Sequence, residues 1–274
     1  MKIGVSTASL FLRKENHEAL PFLNDLGVET AEVFLSSFRE YSKAYGQKLA
    51  AVKGKVQINS VHDLNSQFEP QLFNRHAGVK EDAYMILQNV LDAAKELSAP
   101  YYTFHAITRA KRAARSGEND NFPSLIKNFG EISDFCQKSG VTLCLENVEW
   151  ATYNRPGVFS KISEGVPQMK GVLDIKQARI SEYPYHLYLE EMGEKLAYVH
   201  ISDIDEKGKM CLPGKGVFNF AELIKRLQDV GFDGALIIEV YENDYEKEEE
   251  LKTSCEYMQE LIYRLSSSTP VRLN

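Results

Sequence analysis

Eight short apolar segments, each separated from the next by a stretch with helical spacing, constrain the fold of this chain most strongly. The segments are rich in β-branched and aromatic residues, which predicts strands. The stretches between them carry apolar residues at i, i+3 and i+4, as in the run from Ala83 to Leu97, and this predicts helices with one buried face. The predicted strands are 2–6, 30–35, 56–61, 101–105, 141–146, 171–174, 197–201 and 235–240.

Strand and helix therefore alternate along the whole chain, and glycines such as Gly27, Gly140 and Gly231 stand where predicted helices must stop. This order predicts an α/β protein in which eight parallel strands close into a (β/α)₈ TIM barrel. No linker rich in Ser, Gly or Pro divides the chain, so residues 1–274 are predicted to form a single domain. The alternative, an open doubly wound sheet, would need a glycine-rich phosphate loop after the first strand, and residues 6–10 are not one.

Composition limits the partners of the chain. A formal net charge of −7 makes nucleic acid an unlikely partner, because Lys and Arg supply most of the affinity for phosphates. The basic run of Arg109, Lys111, Arg112 and Arg115 is better explained as a solvated surface.

No apolar run approaches the roughly 20 residues of a membrane span and residues 1–5 lack a leader pattern, so we expect a cytoplasmic protein without a membrane partner. The four cysteines, which form no CxxC pair, are typical of reduced thiols.

Polar side chains at the ends of the predicted strands indicate where chemistry would occur, since barrel enzymes place it at the C-terminal ends of their strands. Each of these side chains has an ordinary explanation, as a buried histidine or as a carboxylate that caps the next helix. Closure of the barrel brings them around one axis, however, and carboxylates clustered in an apolar cup repel one another unless a cation is bound. Carboxylates with imidazole suit Mn²⁺, Mg²⁺ or Zn²⁺. The side chains are His62, His105, Glu146, Asp174, His200 and Glu239.

The order and spacing of these residues resemble those of the xylose isomerase-like barrels, which include sugar-phosphate isomerases and epimerases, ketose 3-epimerases, inosose dehydratases and endonuclease IV. The resemblance implies one divalent metal ion bound by Glu146, Asp174, His200 and Glu239. It spans nearly the whole chain and rests on Ala31-Glu32-Val33, His62, His105, Leu145-Glu146-Asn147, Leu173-Asp174, His200-Ile201-Ser202-Asp203, Leu212-Pro213-Gly214-Lys215-Gly216 and Ile238-Glu239.

Two departures from the family pattern matter. Many members carry a histidine three residues after the sixth-strand aspartate, where this chain has Gln177. Gly208 and Met210 occupy the positions of two further zinc ligands of the endonuclease, so its third zinc site is missing. His62 and His105 match the first zinc site of the endonuclease, which leaves a second metal ion open.

The resemblance implies a metal-dependent isomerase or epimerase that moves a proton next to the carbonyl of a small sugar or sugar phosphate. Glu146 and Glu239 would be the catalytic base and acid, and Trp150 and Phe11 could supply apolar walls. Two alternatives stay open, an endonuclease IV-like metal-dependent phosphoesterase and a non-catalytic carbohydrate-binding barrel. A homo-oligomer is compatible with either. The expected substrate-binding residues are His62, His105, Lys176, Gln177 and Lys215.

Overall fold

The barrel predicted from the sequence is confirmed by a computed structural model, which describes residues 1–64, 68–108 and 121–267. Eight parallel strands close on themselves in the order β1-β10-β7-β6-β5-β4-β3-β2. The basic run within residues 109–115 lies outside the described residues. The barrel strands are β1 Lys2–Ser6, β2 Thr30–Leu35, β3 Gln57–Asp63, β4 Tyr101–Phe104, β5 Thr142–Glu146, β6 Lys170–Asp174, β7 Leu196–Ile201 and β10 Ala235–Ile238.

Helices surround the strands and bury one face each, as the apolar periodicity predicts. In the longest described helix, Ala83, Leu87, Val90 and Leu91 are buried, and they belong to the apolar face that the sequence predicts for this run. No helix among the described residues combines the length and apolar composition that a membrane span needs. The helices are α1 Asn16–Asp25, α2 Lys43–Val52, α3 Ala77–Glu96, α4 Phe122–Lys138, α5 Val158–Gly165, α6 Ile175–Ile180, α7 Tyr185–Met192, α8 Phe220–Asp229 and α9 Glu250–Ser267.

The observed elements differ from the predicted ones at several ends. Strand β3 continues past the apolar residue Val61 because Asp63 still pairs with Leu35 of β2. His105 follows β4 instead of ending it. A two-stranded antiparallel ribbon, β8 Asp203–Ile204 and β9 Met210–Cys211, was not predicted, since strands of two residues are too short to show an alternating pattern.

The inside of the barrel is packed at one end and polar at the other. Buried side chains that include Val172, Ala197 and Ala235 fill the barrel toward the N-terminal ends of the strands. At the opposite end the strands finish in histidines and carboxylates, which are also buried. The barrel is thus a cup with an apolar base, and its polar contents lie where the strands end.

Candidate active site and metal centre

A cavity of about 600 Å³ lies at the C-terminal ends of the strands. Most of the side chains singled out in the sequence line it, and Trp150 and Phe11 contribute to its wall as expected. His200 lies beneath the cavity and is almost wholly buried, with 1% of its surface exposed. The predicted site residues that line the cavity are His62, His105, Glu146, Asp174, Lys176, Gln177 and Glu239.

The four residues proposed as metal ligands come together at the floor of this cavity. Glu146, Asp174, His200 and Glu239 each offer one ligand atom, and these atoms all lie within 4.8 Å of one another. The Nδ1 atom of His200 lies 2.8 Å from Glu146 Oε1 and 3.3 Å from Glu239 Oε2. Strands β5 and β6 end in Glu146 and Asp174, His200 is the next-to-last residue of β7, and Glu239 follows β10.

The charges of this cluster determine where protons reside in the absence of a cation. Burial alone would lower the pKa of His200, but three neighbouring carboxylates raise it well above its ordinary value. Burial would raise the pKa of Glu146 and of Glu239, but the charge of His200 lowers both. Burial, with the charges of those two glutamates, raises the pKa of Asp174 to about 7. The cluster therefore holds a proton on His200 at neutral pH and a second one on Asp174 below a pH of about 7.

This donor set fits a divalent cation. Carboxylate oxygens and one imidazole nitrogen are ligands that Mn²⁺, Mg²⁺ and Zn²⁺ accept, and a cation would take over the neutralising role of the bound protons. The buried Nδ1 atoms of His62 and His105 have no hydrogen-bond partner among the described residues. Together with Glu146 these two histidines form a second group of converging donor atoms beside the first.

Asp174 is fixed by two sets of hydrogen bonds. The side chain of Asn147 donates to the carbonyl of Asp174 at 2.8 Å, and its amide oxygen accepts from the Asp174 N–H at 2.8 Å. The Oδ1 atom of Asp174 accepts the N–H of Gln177 at 2.9 Å and so caps helix α6. The capping role that offered an ordinary explanation for this aspartate is real, and it leaves Oδ2 directed toward the cavity cluster, 3.9 Å from Lys176 Nζ.

Lys176 and Gln177 follow Asp174 and line the same wall. The Lys176 ammonium is buried, 3.9 Å from Glu239 Oε2, and lies over the ring of Tyr241 at 4.5 Å from its centroid. Burial would lower the pKa of Lys176, but Asp174 and Glu239 raise it, so this side chain is a fixed cation. The Oε1 atom of Gln177 accepts the N–H of Glu149 at 3.3 Å, which leaves the amide NH₂ as a donor.

Comparisons with known proteins agree with this fold. A model of the family described as Xylose isomerase-like TIM barrel matches residues 20–261. The chain belongs to this family. Among curated proteins, the chain is similar to the fructoselysine 3-epimerase of Escherichia coli O157:H7, with 23% identity over 168 residues. That match covers 59% of this chain and spans 60% of the relative's length.

Solved structures of other proteins share the fold of this chain. The D-psicose 3-epimerase of Clostridium cellulolyticum H10, solved with D-tagatose, has a TM-score of 0.77 and 15% identity, and the match covers 97% of this chain and 99% of that one. The IOLI protein, solved with a zinc atom, has a TM-score of 0.78 and 17% identity, with the same coverage. At these identities the likeness establishes the fold alone.

Glu32 lies beside the proposed metal ligands, although the family motif that contains it did not identify it as part of the site. It lies on β2, is fully buried, and its Oε1 atom is 3.1 Å from His200 Nε2 and 3.4 Å from His62 Nδ1. Hydroxyl groups of three strands donate to its two oxygens: Ser6 at 3.1 Å, Ser60 at 2.8 Å and Thr103 at 2.7 Å. A charged residue within a largely apolar strand, Thr30–Leu35, was the signal that could have identified it.

Lys215, in contrast, does not line the cavity. Its side chain is half exposed, and its Nζ atom is 3.6 Å from Glu250 Oε2. The turn that carries it is held by Asp203, whose carboxylate accepts the N–H groups of Gly214 and Gly216, both at 3.0 Å. A Cβ atom on Gly216 would lie 2.2 Å from a backbone oxygen, so the turn requires glycine there. The turn that carries this expected substrate-binding residue thus has a structural explanation.

Proposed function

We propose that this protein is a divalent-metal-dependent epimerase or isomerase that transfers a proton next to the carbonyl of a small sugar. The observation that carries the proposal is the meeting of two ionised, buried carboxylates, Glu146 and Glu239, in the floor of one cavity with an oxygen-rich donor set. Relatives and structural neighbours that are sugar epimerases support the same reaction class.

Glu146, Asp174, His200 and Glu239 would hold one divalent ion. When bound, the ion would polarise the carbonyl and hydroxyl oxygens of the sugar and so acidify the adjacent C–H bond. The Nε2 side of His200 faces Glu32, which leaves Nδ1 directed at the other three ligands. A histidine with one nitrogen held by a carboxylate and the other free to coordinate is the usual arrangement in metal sites.

Glu146 and Glu239 would act on opposite sides of the sugar as base and acid. Two carboxylates with lowered pKa values are both ionised at neutral pH, so each can accept a proton, but one must first acquire the proton that it delivers. His62 can supply it to Glu239. Burial would lower the pKa of His62, but Glu239 and Glu32 raise it well above its ordinary value, and its Nδ1 atom lies 3.5 Å from Glu239 Oε1.

The other polar residues of the cavity would orient the substrate. The Lys176 ammonium and the Gln177 amide can each donate to sugar hydroxyls, and His105, whose Nε2 atom lies 2.7 Å from Glu146 Oε2, would fix the direction of that carboxylate. Lys176 is the only Lys or Arg side chain among the described residues that line the cavity, and it is already paired with two carboxylates. This favours an unphosphorylated sugar over a sugar phosphate.

The proposed reaction is tested by exchange of substrate hydrogen with solvent. Purified protein loaded with Mn²⁺ is expected to move deuterium from D₂O into a carbon-bound position of a ketose, and removal of the metal by a chelator should stop the exchange. Exchange follows from proton abstraction next to a carbonyl. Proton NMR of a panel of ketoses, aldoses and their phosphates measures it directly, and elemental analysis gives the number of ions per chain.

The group formed by His62, His105 and Glu146 keeps a phosphoesterase as the second candidate, because two adjacent ions could serve a hydrolytic reaction. Two ions per chain, no exchange with any sugar, and metal-dependent cleavage of an abasic-site oligonucleotide would replace the epimerase with this candidate. Binding of sugars without exchange or cleavage would leave a carbohydrate-binding barrel.

Replacing Glu32 with Gln is expected to weaken Mn²⁺ binding by about 10- to 100-fold while the barrel still folds. Three hydroxyl groups donate to Glu32 and two histidines face it, so an amide NH₂ placed there meets groups oriented toward an acceptor and weakens the contact with His200. Isothermal titration of the metal-free protein measures the affinity. Glu40→Gln is the matched control, since Glu40 is also a buried acceptor but bonds to Asn16 and Ser36, away from the ligands. Equal affinities for the two variants would remove Glu32 from the centre.

A further inference from the structure

The cavity has two chemically different ends. Its floor carries the histidines, the carboxylates, Lys176 and Gln177, whereas its rim is largely apolar. Thirteen large apolar side chains are exposed among the described residues, and five of them lie on this one rim: Phe11, Leu12, Leu64, Trp150 and Tyr241. Exposed apolar side chains concentrated around a polar site mark a surface that a ligand covers.

The rim is continuous with the catalytic floor. The ring of Trp150 lies 5.3 Å from that of His105, and the ring of Phe11 lies 5.7 Å from that of Phe34, which in turn is 5.2 Å from His62. A ligand bound on the floor therefore meets these rings as it extends outward. The rim is part of the substrate cavity and not a separate surface patch.

The rim is also held in place before any ligand binds. Leu12 is 75% exposed and has a φ of 65°, a backbone conformation that is uncommon for leucine. The neighbouring Arg13 fixes this segment, because its guanidinium donates to the carbonyl oxygens of Glu242 and Tyr245 and lies 4.0 Å from the centroid of the Tyr245 ring. A strained residue that displays an apolar side chain at the mouth of a site suggests a function for that side chain.

We propose that the substrate is a keto sugar that carries an apolar substituent, an alkyl or aryl group, which packs on this rim while the sugar occupies the floor. The inference rests on the proposed epimerase function. A cavity of about 600 Å³ is large for an unsubstituted monosaccharide and suits a larger ligand. Hydroxyl groups of a free sugar that reached Leu12, Leu64 and Phe11 would lose water without gaining partners.

Two other occupants are less suited to the rim. The segment 109–120 follows the lining residue Thr108 in sequence, but it contains no large apolar side chain. A second copy of this chain could cover the rim, but it would close the entrance to the floor and keep substrate out. The apolar part of a substrate is the occupant that uses both ends of the cavity at once.

The test compares D-fructose, 1-O-benzyl-D-fructose, 6-O-benzyl-D-fructose and D-fructose 6-phosphate on the Mn²⁺-loaded protein. The expected result is that one benzyl ether binds at least about tenfold more tightly than D-fructose and is exchanged with a correspondingly higher kcat/KM. Asparagine tolerates the backbone conformation of Leu12. In the Leu12→Asn protein, the ratio of kcat/KM for the benzyl ether to kcat/KM for D-fructose should fall by about tenfold. Leu187→Asn is the control, since Leu187 is exposed away from the cavity, and it should keep the wild-type ratio.

Titration calorimetry and solvent exchange separate the two ideas. Exchange with every ketose but no preference for a benzyl ether, or a preference for the phosphate, overturns the apolar substituent and leaves the epimerase standing. If no ketose exchanges its hydrogen, the proposed function fails. Calorimetry still tests whether the rim binds an apolar substituent, since equal affinities for benzyl ether and D-fructose would reject that proposal. A dimer that dissociates in Leu12→Asn, with no benzyl preference, assigns the rim to a second copy.

Discussion

Glu146→Gln protein, compared at saturating Mn²⁺, is expected to lose epimerisation by about 10³-fold and yet to exchange the hydrogen of one of the two epimers with solvent. If Glu146 and Glu239 act on opposite faces of the sugar, removal of one base leaves the other able to abstract a proton from its own face. Glu239→Gln should show the reverse preference. Deuterium incorporation into each epimer, followed separately by NMR, measures both variants.

This face selectivity distinguishes loss of a base from loss of the metal, because loss of the metal would abolish exchange with both epimers. Gln is nearly isosteric with Glu, and its amide oxygen can still accept from one of the two imidazoles that contact Glu146, at His105 and His200. Metal content is measured on the same samples. Equal residual exchange with both epimers in Glu146→Gln would contradict its assignment as a base.

Metal binding is expected to strengthen steeply as pH rises. Metal ligands must be deprotonated, so an incoming cation displaces a proton from His200 and, below a pH of about 7, a second proton from Asp174. Each proton released makes affinity change by about tenfold per pH unit. Between about pH 6 and 7 the affinity for Mn²⁺ should therefore rise about 50-fold, because Asp174 loses its proton partway through this range, and above pH 7 by about tenfold per unit until His200 has lost its proton.

Calorimetry in two buffers that differ in ionisation enthalpy counts the released protons directly. The matched variant is Asp174→Asn, whose neutral amide has no proton to release. This variant should bind the ion more weakly, and its affinity for Mn²⁺ should change by only about tenfold per pH unit between pH 6 and 7. An affinity for the wild-type protein that does not change over this range would show that the cluster does not hold the protons assigned to it.

The barrel, and the convergence of the four proposed ligands at one end of it, could be predicted because both depend on local, repeated features of the sequence. Strand and helix patterns recur eight times along the chain, and no alternative fold orders them as simply. A polar residue that ends a strand of a parallel barrel must lie at the C-terminal rim, so Glu146 and Asp174 were placed by their position in their strands alone. Residues far apart in sequence then converge because the barrel closes.

The surroundings of the site could not be predicted, because they depend on contacts between distant residues. The hydroxyl groups that donate to Glu32 come from residues 26, 28 and 71 positions away, and no local pattern brings them together. Lys215 is a second example, since this expected substrate-binding residue belongs to a turn held by Asp203 and does not line the cavity.

The sequence by itself determined the fold class, the alternation that builds it and the side chains that can bind a metal, since periodicity and position in a strand are properties of short segments. Only the tertiary structure decided which of those side chains have shifted pKa values, that Glu32 lies against His200, and that apolar residues such as Leu12 and Trp150 line the same cavity as the polar floor. Burial, charge and distance decide such features, and they exist only once the closed barrel has brought its strand ends together.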